Sequence, residues 1–414
     1  MTEREAFERQ FDDRTVRYTP GFESAETRPV VIGIGPDAHH AAGHLLLSSL
    51  VNQVARLHSR IVLVGELDYP LECPDVFGHR TLRAATADLA TEIHPWREIE
   101  TSVKAPAGEA VLRVAIGQAP GSWDLCVGAD GWRACFGPDA TVTEDARWGA
   151  AYASCLTAAA IFHAALGESP RLAGELSLWS RPGVPAGDGP VGLHLTSGPI
   201  LQVGAGAVGC ALAYWAILLG HQITWTIVDR DIVDISNLNR QLLFRAADAF
   251  ANANKAQVVA QLLGSSATSV PLWYDEAPEV VQEQYDLVLP LANDRSVRTL
   301  LHHRNEPMLL HATTSRSWQA QLHRHTAGID DCINCRIPEG AASLRCSGAP
   351  ITPGEPDSAL PFLSATAGLL LSAEVARRAL DEPTPPENFT SVTLRRSPPE
   401  VRFFQRNCLA ACPY

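Results

Sequence analysis

The sequence predicts an α/β protein made of two Rossmann-like, mixed-sheet domains in tandem, the first degenerate and the second nucleotide-binding. Three observations lead there. Residues 198–244 read as strand, glycine turn, helix, second strand ending on acid, and polar loop. Residues 29–68 repeat that order in worn form, and the Pro/Gly-rich joint SRPGVPAGDGP at 180–190 separates the two. Two unrelated Rossmann-like units are the alternative to a duplication.

In the second unit, residues 200–203 are apolar enough for a buried parallel strand. Gly204, Gly206 and Gly209 form a G-x-G-x-x-G turn, where missing side chains let backbone N–H groups and a helix N-terminus approach phosphate. Residues 223–228 form the next strand. Asp229 follows at the distance expected of a ribose-binding carboxylate. The polar continuation SNLNRQ carries Arg240, and Lys255 stands where a helix should begin. Two cations after the ribose acid favour ATP over NAD, because a triphosphate carries charge that they can neutralise. Lys104 and Lys255 are the only lysines in the chain.

Taken from the start, the N-terminal residues suggest an amphipathic helix over 3–11, too charged for a signal peptide. VVIGIG, a helix over 38–57 and RIVLVGE form the worn copy, with Ala38 at the third glycine position and Asp37 inside the turn, where an acid repels phosphate. LRVAIG and residues 123–137 give two more strands, the second turning into a hairpin, and residues 148–167 a long Ala-rich helix. Residues 285–292, 308–325 and 362–380 supply the same pieces in the second unit. His39, His40 and His44 read as a polar helix start. The apolar run 149–166 is short for a membrane span and reads as a buried helix.

The length allows about two domains, and 46% hydrophobic residues is ordinary for a globular chain. A net charge of −13 argues against a nucleic-acid binder and against attraction to anionic membrane. Ten cysteines, four of them in two close pairs, suggest metal rather than a secreted disulfide framework, with the cytoplasm as default compartment. Cys332 and Cys335 form a C-x-x-C pair, and Cys408 and Cys412 a second pair with one more spacer residue. Two such pairs can complete a tetrahedral thiolate site, hence structural zinc; buried free thiols are the alternative. Cys73, Cys126, Cys135, Cys155 and Cys210 read as inert.

With the glycine turn, Asp229, SNLNRQ and Lys255 in hand, residues 198–414 resemble the ThiF/MoeB and ubiquitin-activating enzyme superfamily. The resemblance implies an eight-stranded mixed sheet with helices on both faces. It also implies Mg-ATP-dependent adenylation of the C-terminal carboxylate of a ubiquitin-like protein. The division it suggests is a degenerate adenylation-like domain at 1–180, a linker at 181–190 and an active adenylation domain at 191–414 with a crossover loop at 336–361. By motif, Asp229 would hold the ribose, and Asn237, Arg240 and Lys255 the triphosphate. Arg9, in FERQ, matches the arginine that the inactive partner lends; a solvated helix residue is the alternative. Where the family reads D-N-x-x-x-R this chain reads NDRSVR, placing Asn293 at the acid position and Asp294 after it. A loop shifted by one residue would let Asp294 serve magnesium and catalysis. Cys346, in a Pro/Gly-rich stretch, would take the acyl group as a thioester, or be an unreactive loop cysteine. A fused inactive–active pair fits a bacterial ubiquitin-like conjugation system, of the kind found in antiviral defence, with a conjugating-enzyme-like protein downstream. Such a chain could act as a monomeric catalytic unit or as a homodimer. The rivals are a superfamily enzyme that adenylates a peptide or sulfur-carrier protein, and a non-enzymatic scaffold.

Overall fold

Apolar runs that end on glycine or acid pair in parallel, and the runs after them turn back antiparallel, giving two mixed sheets. The computed structural model describes residues 1–18, 28–181, 189–190, 196–304, 306–336, 360–380, 382 and 384–408. The first sheet contains β1 (Val30–Ile34), β2 (Arg60–Val64), β3 (Glu98–Ser102), β4 (Leu112–Ile116), β5 (Leu125–Asp130), β6 (Arg133–Phe136) and β7 (Gly174–Ser177). Their spatial order is β3-β2-β1-β4-β5-β6-β7. The second contains β8 (Thr196–Val203), β9 (Gln222–Val228), β10 (Ala267–Val270), β11 (Leu287–Pro290), β12 (Met308–Thr314), β13 (Gln319–Thr326), β14 (Phe389–Thr393) and β15 (Glu400–Phe404). Its order is β10-β9-β8-β11-β12-β13-β14-β15, so β1 to β7 match β8 to β14 place for place and β15 is extra. In both sheets the first five strands in spatial order are parallel and the rest antiparallel.

The helices are α1 (Glu3–Tyr18), α2 (Ala41–Val54), α3 (Leu89–Ile93) and α4 (Arg147–Ala165), then α5 (Ala207–Leu218), α6 (Ala246–Phe250) and α7 (Lys255–Leu263). After them come α8 (Pro278–Gln282), α9 (Arg295–His302), α10 (Ile333–Arg336) and α11 (Pro361–Ala379). Helix α2 packs on α4, α5 packs on α11, and α4 meets α11, so one hydrophobic core runs through both halves. These helices are buried on nearly every side, which is why their sequences lack a polar face. The α5–α11 crossing is close: a Cβ on Gly368 would lie 2.7 Å from the Ala211 backbone. Polar contacts tie the halves as well, with Tyr214 Oη donating to Ser49 Oγ at 3.2 Å and Arg395 gripping both oxygens of Glu168 at 2.7 and 2.9 Å.

Helix α1 extends about two turns beyond the expected 3–11, because its last turns gain partners that local sequence does not reveal. Phe11 and Thr15 are buried, and Phe11 lies edge-on to His94 at 4.7 Å. The Ala-rich α4 is a buried helix, and among the described residues no helix is long and apolar enough to cross a membrane. His39, His40 and His44 do stand at the start of α2, with His40 as its N-cap; His44 is fully buried there, and its Nδ1 accepts from Glu72 N at 3.2 Å. Most of the joint at 180–190 lies outside the described residues.

Candidate nucleotide site and cysteine cluster

The strand order of the second sheet reverses between β8 and β11, and a ligand cleft belongs at the C-terminal ends of strands at such a switch point. The three glycines after β8 are there for three different reasons. Gly204 has φ +110°, and a Cβ on it would lie 2.5 Å from Ala292 N. Gly209 lies on the first turns of α5, where a Cβ would sit 2.3 Å from Gly204 O, so it permits tight helix–turn packing. Gly206 is the N-cap of α5, and a Cβ there would meet nothing within 4 Å. Backbone strain sets the first, packing the second, and open space before a helix N-terminus the third. That space suits an anion.

Asp229 ends β9 and ties the turn to the sheet. Its Oδ2 accepts from Ala205 N at 2.6 Å and its Oδ1 from Asp231 N at 2.9 Å. Burial raises its pKa, against the pull of Lys255. Lys255 is itself buried at the first position of α7, with Nζ 3.2 Å from Asp231 Oδ2, which is more exposed. Asn254 caps α7 by accepting from Gln257 N at 3.1 Å, and its Nδ2 donates to Asp229 O and Asp231 O at 3.0 and 3.2 Å. Asp231 and Asn254 were not singled out from sequence; the signals were an acid two places beyond the ribose acid and an asparagine just before a helix.

The loop after β9 is held from within. Asn237 is buried, and its Oδ1 accepts from Asp234 N at 3.2 Å in a capping box. The Arg240 guanidinium donates to Ser236 O and, at 3.0 Å, to Asn239 Oδ1. Helix α1 lies against this loop: Gln10 Nε2 donates to Asp234 Oδ2 at 3.0 Å, and Asn239 Nδ2 to Thr15 Oγ1 at 3.0 Å. Arg14 is buried on the same side of α1, whereas Arg9 is exposed. Gln10 and Thr15 thus bond this loop directly.

The NDRSVR stretch follows β11 and crosses the glycine turn, with Ala292 N donating to Val203 O at 2.6 Å. Asn293 is exposed. Asp294 is the N-cap of α9, its Oδ1 accepting from Ser296 N at 2.8 Å and Ser296 Oγ at 2.7 Å. Arg298 donates from Nε to Ala292 O at 2.8 Å, and burial lowers its pKa to about 10.

The corresponding turn of the first sheet, at its own β1–β4 switch point, is filled. Asp37 Oδ1 accepts from Gln118 N at 2.7 Å, and a Cβ on Gly35 or Gly117 would meet that carboxylate at 2.6 Å. The indole of Trp123 occupies the place a Gly33 side chain would take, at 2.3 Å. A carboxylate and a ring of the chain itself stand over this turn.

The Cys332, Cys335 and Cys408 sulfurs lie within 4.8 Å of one another. Cys332 N donates to Cys408 Sγ at 3.1 Å and Cys335 N to Cys332 Sγ at 3.4 Å. N–H groups aimed at sulfur stabilise thiolate, the form that binds metal, so the three residues fit a structural zinc. Cys412 and Cys346 lie outside the described residues. Burial pushes the thiols of Cys73, Cys155 and Cys210 up to about 12, which makes them poor nucleophiles.

Adenylyltransferase and sulfurtransferase uba4 of Aspergillus terreus is 36% identical over 119 residues, covering 26% of this chain and 23% of its own. SUMO-activating enzyme subunit uba-2 of Caenorhabditis elegans is 28% identical over 147 residues, 33% of this chain and 24% of its own. The chain thus spans about a quarter of the length of these relatives. Among solved structures, E. coli MccB with ATP superposes with a TM-score of 0.41 at 15% identity, covering 52% of this chain and 65% of that one. The model of the ThiF family matches residues 190–410, more than half of the chain. The chain belongs to the ThiF family.

Proposed function

We propose that the chain adenylates the C-terminal carboxylate of a ubiquitin-like protein with ATP, using the second half's glycine turn, and passes the acyl group to Cys346 as a thioester. The observation that carries the reading is the contrast between the two turns: open space at Gly206, flanked by Asp229 and Lys255, against a turn filled by Asp37. ATP is here a substrate. A carboxylate oxygen of the partner attacks the α-phosphorus, the bond to the bridging oxygen breaks, and pyrophosphate leaves. The N–H groups at the start of α5, with Lys255 and Arg240, neutralise the charge that collects on the phosphates. Asp229 holds the ribose while bracing the turn. Asp294 is the residue that would hold magnesium, which adds further charge neutralisation; its Oδ1 is already fixed by Ser296. The Cys346 thiolate then attacks the acyl carbon, AMP leaves, and a conjugating-enzyme-like protein takes the acyl group by thiol exchange.

The test is ATP–pyrophosphate exchange with a ubiquitin-like protein ending in a free glycine. Exchange should depend on that protein, fall roughly 100-fold or more in Asp294→Ala, and change far less in Asn293→Ala. A reducible adduct should form and vanish in Cys346→Ser. Exchange without an adduct selects adenylation of a peptide or sulfur-carrier protein. Absence of both exchange and ATP binding leaves the scaffold.

A further inference from the structure

Arg56 follows α2 in the first half and is completely buried, yet among the described residues it makes no ion pair. Its bonds go elsewhere. Nη1 donates to Leu238 O, Nη2 to Leu242 O at 2.9 Å and to Phe244 O at 3.2 Å, and Nε to Asn52 Oδ1 at 3.0 Å. Asn52 Nδ2 adds a second bond to Leu242 O, at 3.2 Å. Leu238 and Leu242 flank Arg240 by two residues on either side. A guanidinium of the first half therefore clamps the second half's phosphate loop on both sides of its arginine.

Burying a cation without a carboxylate is costly, and burial lowers this one to about 9. Apolar packing alone would be satisfied by a leucine or methionine. The carbonyls give the reason for the charge: those of Leu238 and Phe244 would be dry and unpaired without a planar donor wide enough to reach both, and that of Leu242 would keep only Asn52. A lysine ammonium, a compact donor, cannot span that width.

We infer that Arg56 is a positioning residue for the nucleotide site of the other half, acting through the backbone that carries Arg240. The half with the filled turn is then a working part of the site. This rests on the reading of Arg240 as a phosphate-binding residue, and the experiment separates the two.

ATP affinity is measured by titration calorimetry on the full chain, for Arg240→Ala, Arg56→Lys and the double variant, with near-UV circular dichroism reporting the fold. Arg56→Lys should bind ATP roughly tenfold more weakly with its spectrum intact. The double variant should be no weaker than Arg240→Ala, because the two residues act as one unit. Equal affinity in Arg56→Lys, or losses that add in the double variant, would overturn the inference. If Arg240→Ala binds ATP normally, the reading of Arg240 fails, and the inference with it. If Arg56→Lys does not fold, Asn52→Ser enters the same cycle; it removes one donor to Leu242 O and the acceptor of Arg56 Nε, and keeps the guanidinium's own bonds to the three carbonyls. It should then cost about two- to threefold, again only while Arg240 is present.

Discussion

Lys255→Ala should weaken ATP binding by about 10- to 100-fold, the worth of one charge-assisted contact in a partly dry cleft, while leaving the fold intact. The ammonium is buried, fixed at the start of α7, and set against Asp231 at 3.2 Å. The chain's only other lysine, Lys104, is exposed just beyond β3 in the first half and is not placed to substitute. Lys255→Arg should recover little, because a planar fork does not fit a site built for a compact donor. Calorimetry with ATP and with AMP measures it. The loss should be large for ATP and small for AMP, whose single phosphate lacks the charge that the lysine meets. An equal loss for both would shift Lys255 from the phosphates to the body of the site.

The other large effect concerns the cysteines. One zinc per chain should be found by elemental analysis and should disappear in Cys332→Ser, since a structural thiolate site contributes on the order of 10 kcal/mol to the fold around it. The consequence should be local. Cys408 follows β15, and Asn388, just before β14, bonds Asp331 Oδ1 at 3.1 Å and both polar backbone groups of Arg406 at 2.8 Å. Stripping the metal with a strong chelator should therefore speed amide exchange in β14 and β15 while leaving β8 and β9 protected. A metal-free native chain, or a Cys332→Ser variant with unchanged exchange at β15, would contradict the zinc reading.

How far these features could be read in advance follows from where each residue finds its partners. Strands β1 and β11, and residues 200–203 of β8, are buried on both faces and show as mainly apolar runs. Edge strands do not: β3, EIETS, and β10, ATSV, are short, half-exposed and polar, and offer no apolar run. The glycine turn, Asp229 and Lys255 lie within one local stretch, so that they come together could be read from spacing alone. Asp37 was recognisable as hostile to phosphate; that its carboxylate fills the turn needed Gln118, far along the chain. Arg56 had no signal. In NQVARLH it resembles any charge at a helix end, and the carbonyls that explain it belong to the other half. The rear of α1 was missed for the same reason, since Phe11 and Thr15 find their partners far along the chain.

The account turns on one half carrying the nucleotide site while the other is filled and serves as support. The stoichiometry of ATP binding to the intact chain tests this most directly. Calorimetric titration should give one ATP per chain, its affinity about 10- to 100-fold lower in Lys255→Ala. Two equivalents, or one of unchanged affinity in Lys255→Ala, would place nucleotide where Asp37 now stands and contradict the account.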